Sequence, residues 1–266
     1  NDLIRAVSGG LSHHVETGAG NDTVELGAGR DTVNGGSGDD VIDAGRGHGD
    51  IDGGEGFDTL LFDLGDQFSP LRLDVWTAQG GYEYFSGSSA SFEALRTALV
   101  GATSFAVRDY GFHSPVNVAY RNVEAVNWTA GAGDDLLVYQ GGARYDGGGG
   151  SDTFYGDFSG TAQAVNWDVD AQSFSQVDGA TVANIERLLL ATGSGNDLIR
   201  AVSGGLSHDV GTGAGNDTVE LGTGDDYVDS GAGDDTIKTG AGGDTVYAGS
   251  GDDVIDAGRG HGDIDG

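Results

Sequence analysis

A nine-residue period constrains this chain more than any other feature. Rows starting at Thr212 read TGAGNDTVE, LGTGDDYVD, SGAGDDTIK, TGAGGDTVY and AGSGDDVID. Rows starting at Thr17 read TGAGNDTVE, LGAGRDTVN, GGSGDDVID, AGRGHGDID and GGEGFDTLL. All but one follow G-G-x-G-x-D-x-U-x, with U apolar, and a fixed short period of this kind signals stacked repeat units in place of one thick core. The exception carries Gly49 where Asp is expected, with Asp50 one place late, and the same defect recurs at Gly262 and Asp263.

Each part of the row has a physical task. Glycines permit backbone angles closed to other residues and let carbonyls converge on an ion, while the Asp supplies a hard oxygen ligand. The x-U-x triplet is expected to form a short strand. Its single inward residue, such as Val219, Val228, Ile237, Val246 or Ile255, fills a narrow space between two parallel sheets.

The spacing of a longer repeat sets the coil. Residues 1–30 recur at 196–225 with four differences, and residues 31–53 recur at 244–266, but the offset grows from 195 to 213. The gain of 18 residues is two rows. If two rows make one coil, such an insertion lengthens the stack without exchanging its faces. The stacking then aligns Asp217 with Asp235 and Asp253, Asp226 with Asp244, and Asp22 with Asp40 and Asp58, and sets Asp31 against Gly49.

Composition agrees with a thin, metal-stapled fold. The 266 residues include 52 Gly and only 37% hydrophobic residues, too little for a thick core. A formal charge of −31, from 43 acidic against 12 basic residues, would repel itself in any compact state without bound cations. Nucleic acid is excluded as a partner, because it is bound through clustered Lys and Arg and the one Lys is Lys238. The absence of Cys removes disulfides, thiolate zinc sites and cysteine nucleophiles. No apolar run approaches the roughly 18 residues of a membrane span.

These in-register rows resemble the RTX (hemolysin-type) family of secreted calcium-binding repeats over roughly half the chain. The resemblance implies a right-handed parallel β-roll, all-β, with several Ca2+ ions lying between same-side loops. It assigns as ligands Asp2, Asp22, Asp31, Asp40, Asp58, Asp135, Asp152, Asp197, Asp217, Asp226, Asp235, Asp244 and Asp253. Loop carbonyls such as those of Gly18, Gly20, Gly36, Gly38, Gly213, Gly215, Gly231, Gly233, Gly249 and Gly251 join them. It also implies export by type I secretion to the cell surface, with a C-terminal signal beyond Gly266, since Asn1 and Gly266 both fall inside repeats. Asp39, Asp134, Asp225, Asp234 and Asp252, each just before a motif Asp, are expected to be solvated.

Five segments are expected: a roll over 1–61, a long β-rich insert over 62–129, a short roll over 130–155, a short β insert over 156–191 and a second roll over 192–266. Both inserts end in a related phrase, YRNVEAVNW and VANIERLLL. The long insert carries a helix over 91–100 with Ser91 as cap and Phe92, Leu95 and Leu99 on one face. Its Trp76, Tyr82, Tyr84, Phe85, Phe105, Tyr110 and Phe112 either pack a core or line a glycan or partner surface, core packing being the stronger expectation.

No catalytic constellation is present. There is no HExxH, GxSxG or Walker A sequence, and His13, His14, His48, His113, His208 and His261 are expected at the surface or in loops. The sequence therefore reads as a calcium-dependent structural or adhesive module of an adhesin, surface layer or filament, not an enzyme. Its expected partners are calcium, further copies of itself and a cell-surface ligand. The rival reading is the repeat region of a secreted enzyme or toxin whose active domain lies elsewhere.

Overall fold

The structure is a computed structural model that describes residues 1–7, 10–65, 69–78, 80–88, 90–109, 116–169, 173–175 and 180–266. Tyr110, Phe112 and His113 lie outside the described residues. The chain forms two compact units, Asn1–Gly150 and Ser151–Gly266.

The second unit shows the roll in its plainest form. One sheet stacks Thr153–Asp157, Arg187–Ala191, Asp209–Gly211, Tyr227–Asp229, Thr245–Tyr247 and Asp263–Asp265, all parallel. The other stacks Asn166–Asp168, Leu198–Ala201, Thr218–Leu221, Thr236–Lys238 and Val254–Asp256 in parallel. Alternate rows enter alternate sheets, so Val219 pairs with Ile237 and Ile237 with Ile255, while Val228 pairs with Val246. Val219, Val228, Ile237 and Val246 are fully buried, each contributing about 1.5–3 kcal/mol of apolar burial. Ile255, in the last coil, is only half-buried.

The first unit begins as the same roll and then changes. One parallel sheet runs through Leu3–Ala6, Thr23–Leu26, Val41–Asp43, Thr59–Asp63, Ala125–Thr129 and Arg144–Asp146. The other runs through His14–Glu16, Arg30–Ser37, His48–Glu55 and Asn117–Arg121 in parallel. It then continues antiparallel through Ala102–Asp109, Leu71–Thr77 and Tyr82–Ser86. The long insert thus widens one roll sheet with a meander. Larger side chains enter where it does: Phe62, Tyr120 and Trp128 are buried, with Phe62 5.1 Å from Trp128 between ring centroids.

The helix spans Phe92–Val100 and buries Phe92, Leu95 and Ala98. Leu99 is only half-buried, so the covered face follows i, i+3, i+6 and the expected face was one residue off. Ser91 stands at the N-cap position with extended backbone but makes no side-chain capping bond. Among the insert aromatics, Phe85 is buried, and Phe105 stacks on Tyr120 at 5.4 Å. Tyr82 and Tyr84 are exposed, beside Trp76, Arg72 and Arg108. Among the described residues, no helix is long and apolar enough to cross a membrane.

Candidate metal centre

The motif Asp residues form columns along each roll. Asp22 N–H donates to Asp40 Oδ1 (2.8 Å) and Asp40 N–H to Asp58 Oδ1 (2.9 Å). In the second unit, Asp197 N–H donates to Asp217 Oδ1 (2.7 Å), Asp217 N–H to Asp235 Oδ1 (2.8 Å), and Asp235 N–H to Asp253 Oδ1 (2.9 Å). On the opposite side Asp226 N–H donates to Asp244 Oδ1 (3.1 Å). One carboxylate oxygen per residue is thereby used by the backbone of the neighbouring coil.

The second oxygen separates two groups. In Asp40, Asp58, Asp226 and Asp235, Oδ2 is buried without a hydrogen-bond partner, while the Thr17 and Thr212 hydroxyls stand beside the Asp22 and Asp217 carboxylates. A buried, unpaired carboxylate oxygen is costly unless a cation meets it. In Asp197 and Asp244 that oxygen accepts from the Thr192 and Thr239 hydroxyls. Asp135 accepts from the Leu71 and Gly131 N–H groups, Asp31 accepts from the His13 backbone and ring, Asp152 is buried, Asp2 is exposed and Asp253 half-buried.

Carbonyl oxygens converge on the orphaned carboxylates. A Cβ built on Gly35 would stand 2.3 Å from the Gly53 carbonyl oxygen and 2.4 Å from Asp40 Oδ2. The ten loop glycines named from the sequence all have φ between +85° and +145°, a region open at no steric cost only to glycine, and the Gly18, Gly213 and Gly231 carbonyls accept the Ser37, Ala232 and Ser250 N–H groups of the next coil. Among the described residues, no three His, Asp or Glu side chains converge on one point. A site here must therefore combine Asp with backbone carbonyls, and an all-oxygen set of that kind suits Ca2+ and not a thiophilic or imidazole-bound metal. The residues present fit the ion.

The electrostatics of the metal-free roll agree. Burial pushes the Asp217 and Asp226 carboxyls up to about 6 and raises those of Asp40, Asp58 and Asp197. Asp22 is the exception, lowered chiefly by the Asp2 N–H. A carboxyl raised on folding favours the fold fully below its unfolded pKa near 3.8 and opposes it progressively as pH rises through the folded value near 6. In chelator, the chain is therefore expected to melt at a higher temperature at pH 5 than at pH 7.5. In calcium the order reverses, because the ion requires the ionised carboxylates. Thermal melts followed by circular dichroism at both pH values check the crossing.

Three features escaped the sequence reading. The residue before each motif Asp forms a second, outer ladder: Asp39 N–H donates to Asn21 Oδ1, Phe57 N–H to Asp39 Oδ1, Asp234 N–H to Asn216 Oδ1, and Asp252 N–H to Asp234 Oδ1. These side chains are exposed, as expected, yet ordered by the stack. His208 is buried, correcting its expected surface position: it occupies a motif-Asp position, where Nδ1 accepts from Leu188 N–H (3.1 Å) and its own N–H donates to Asp226 Oδ1. Burial and the nearby Arg187 lower its pKa to about 4, so it is neutral. The third feature is a pair of glutamates, Glu124 and Glu186, whose Oε2 atoms accept from Asp58 N–H (2.8 Å) and Asp152 N–H (2.9 Å). The recurring N-x-E in the two insert-ending phrases was the available signal.

Stacked parallel coils, Asp columns with orphaned oxygens and closely approaching loop carbonyls define a β-roll with an all-oxygen cation-binding character. The family model for the RTX calcium-binding nonapeptide repeat matches four times, at residues 16–51, 31–60, 212–237 and 229–264. These two blocks, residues 16–60 and 212–264, are therefore similar to the RTX calcium-binding nonapeptide repeat. No curated protein matches the chain.

Proposed function

We propose that this chain is a calcium-locked structural and adhesive module of a large secreted surface protein, exported loose and folded where calcium is plentiful. The observation that carries the reading is the run of buried Asp oxygens without partners, repeated coil after coil. The ligands in this reading are the thirteen Asp residues named from the sequence, with those retaining a free oxygen holding calcium most directly, and the loop carbonyls. Calcium neutralises the columns and links successive coils, so its binding free energy becomes folding free energy. The five-segment division belongs to the same reading, the rolls supplying the calcium-bound scaffold and the inserts its individual surface. Partners would be further copies of the chain, or a cell-surface glycan met by the exposed Tyr82 and Tyr84. A calcium titration of the purified chain, followed by circular dichroism and light scattering with magnesium as control, tests it. A cooperative gain of β-structure with calcium alone is expected; an unchanged spectrum across millimolar calcium would overturn the proposal.

A further inference from the structure

The Asp column of the first roll ends at Asp58, where the chain leaves for the long insert, and its next neighbour is not a glycine-rich loop. The coil above is entered through Asn122-Val123-Glu124. Asn122 has φ +51°, a left-handed conformation that glycine fills elsewhere in the roll. Its carbonyl oxygen stands where the roll would present a glycine carbonyl. A Cβ built on Gly53 would lie 2.0 Å from Asn122 O and 2.6 Å from Asp58 Oδ2. The equivalent atom on Gly35 would lie 2.3 Å from Gly53 O and 2.4 Å from Asp40 Oδ2. Glu124 takes the place of the next motif Asp, accepting the Asp58 N–H as Asp58 accepts that of Asp40.

Asp58 is fully buried, and its Oδ2 has no hydrogen-bond partner. We infer that Glu124 and the Asn122 carbonyl complete an additional calcium site with Asp58, a closing site built without the glycine-Asp motif. The arrangement is not an accident of one loop. Asn184 also has a left-handed φ of +53°, and Glu186 accepts the Asp152 N–H at the end of the other insert.

The site has a consequence for the insert. Asn117–Arg121 precedes the loop and pairs with the roll strand His48–Glu55, and Ala125–Thr129 follows it and pairs with Thr59–Asp63. Arg121 already bridges to Asp50 (3.2 Å) and Asp52 (2.8 Å) at this junction. An ion between Asp58 and Glu124 fixes the point where the insert returns to the roll, making its docking calcium-dependent.

The inference rests on the calcium reading of the Asp columns, and its test separates the two. Equilibrium dialysis at saturating calcium is expected to give one ion fewer for Glu124→Gln than for the unsubstituted chain. Glutamine keeps an oxygen to accept the Asp58 N–H while losing the charge. Asn122→Gly, which keeps the carbonyl and the left-handed backbone, is expected to retain the full complement. In the unsubstituted chain, the Glu124 carboxyl carbon resonance is expected to shift on calcium addition, a readout independent of how the variants fold. If the chain binds calcium but Glu124→Gln retains every ion and the resonance stays fixed, this inference falls alone. If the chain binds no calcium, the proposed function falls with it.

Discussion

Replacing Asp235 by Asn is expected to act in opposite directions with and without calcium. Asp235 sits mid-column, accepting the Asp217 N–H and donating its own N–H to Asp253. An asparagine oxygen preserves the first bond, so the ladder survives. What changes is the buried, partnerless Oδ2 and its charge, which is among those that raise Asp217. In chelator the substitution removes repulsion, and residual β-structure should equal or exceed that of the unsubstituted chain. In calcium it removes a ligand from the middle of a one-dimensional stack, where each coil depends on its neighbours. Losing one ion held at about 100 times its Kd costs roughly 2.7 kcal/mol. The calcium concentration at half-folding should rise tenfold or more. Asp229→Asn, on the same roll but outside the columns, is the control expected to leave both states within about 0.5 kcal/mol. Loss of structure in chelator as severe as in calcium would show that Asp235 acts through packing alone.

The roll was legible because each of its rules is local. A row contacts only the rows one coil away, so the 18-residue offset carried in the duplicated blocks fixed both the alternation of sheets and the alignment of Asp217 with Asp235 and Asp253. What escaped were positions where another residue type takes over a motif role. Asn122 and Glu124 replace glycine and Asp, but they follow a long insert and share no period with the rows. His208 stands 18 residues before Asp226, in register with the rows, but Leu206 and His208 replace the motif's Gly and Asp there, so the pattern does not reveal the position. The helix face slipped from Leu99 to Ala98 for a different reason: on so short a helix, tertiary contact and not hydrophobicity selects the covered side. The antiparallel meander of the insert was unreadable from periodicity, which reports that a segment is a strand but not the direction in which it pairs.

Adding one methyl group at Gly233 is expected to be among the most damaging small changes in the second roll. Gly233 has φ +140°, and an added Cβ would stand 1.8 Å from the Gly215 carbonyl oxygen and 2.5 Å from its carbon. The obstacle is backbone one coil away, not the end of a flexible side chain. Relief requires moving a segment held by Ala232 N–H to Gly213 O (2.9 Å) and Gly233 N–H to Ser250 O (2.8 Å). Left-handed strain of about 1–2 kcal/mol and the loss of one or two backbone bonds at about 1 kcal/mol each put the cost of Gly233→Ala near 2–4 kcal/mol. The same displacement withdraws loop carbonyls from the Asp217 and Asp235 column, so calcium should no longer rescue the fold at concentrations that saturate the unsubstituted chain. Gly160→Ala is the matching control: its added Cβ meets nothing within 4 Å, and it should melt within a few tenths of a kcal/mol of the parent. Comparable melting of the two variants in calcium would mean that the coils are spaced more loosely than the stacked glycine carbonyls require. The repeat's glycines would then serve chain flexibility instead of close approach around an ion.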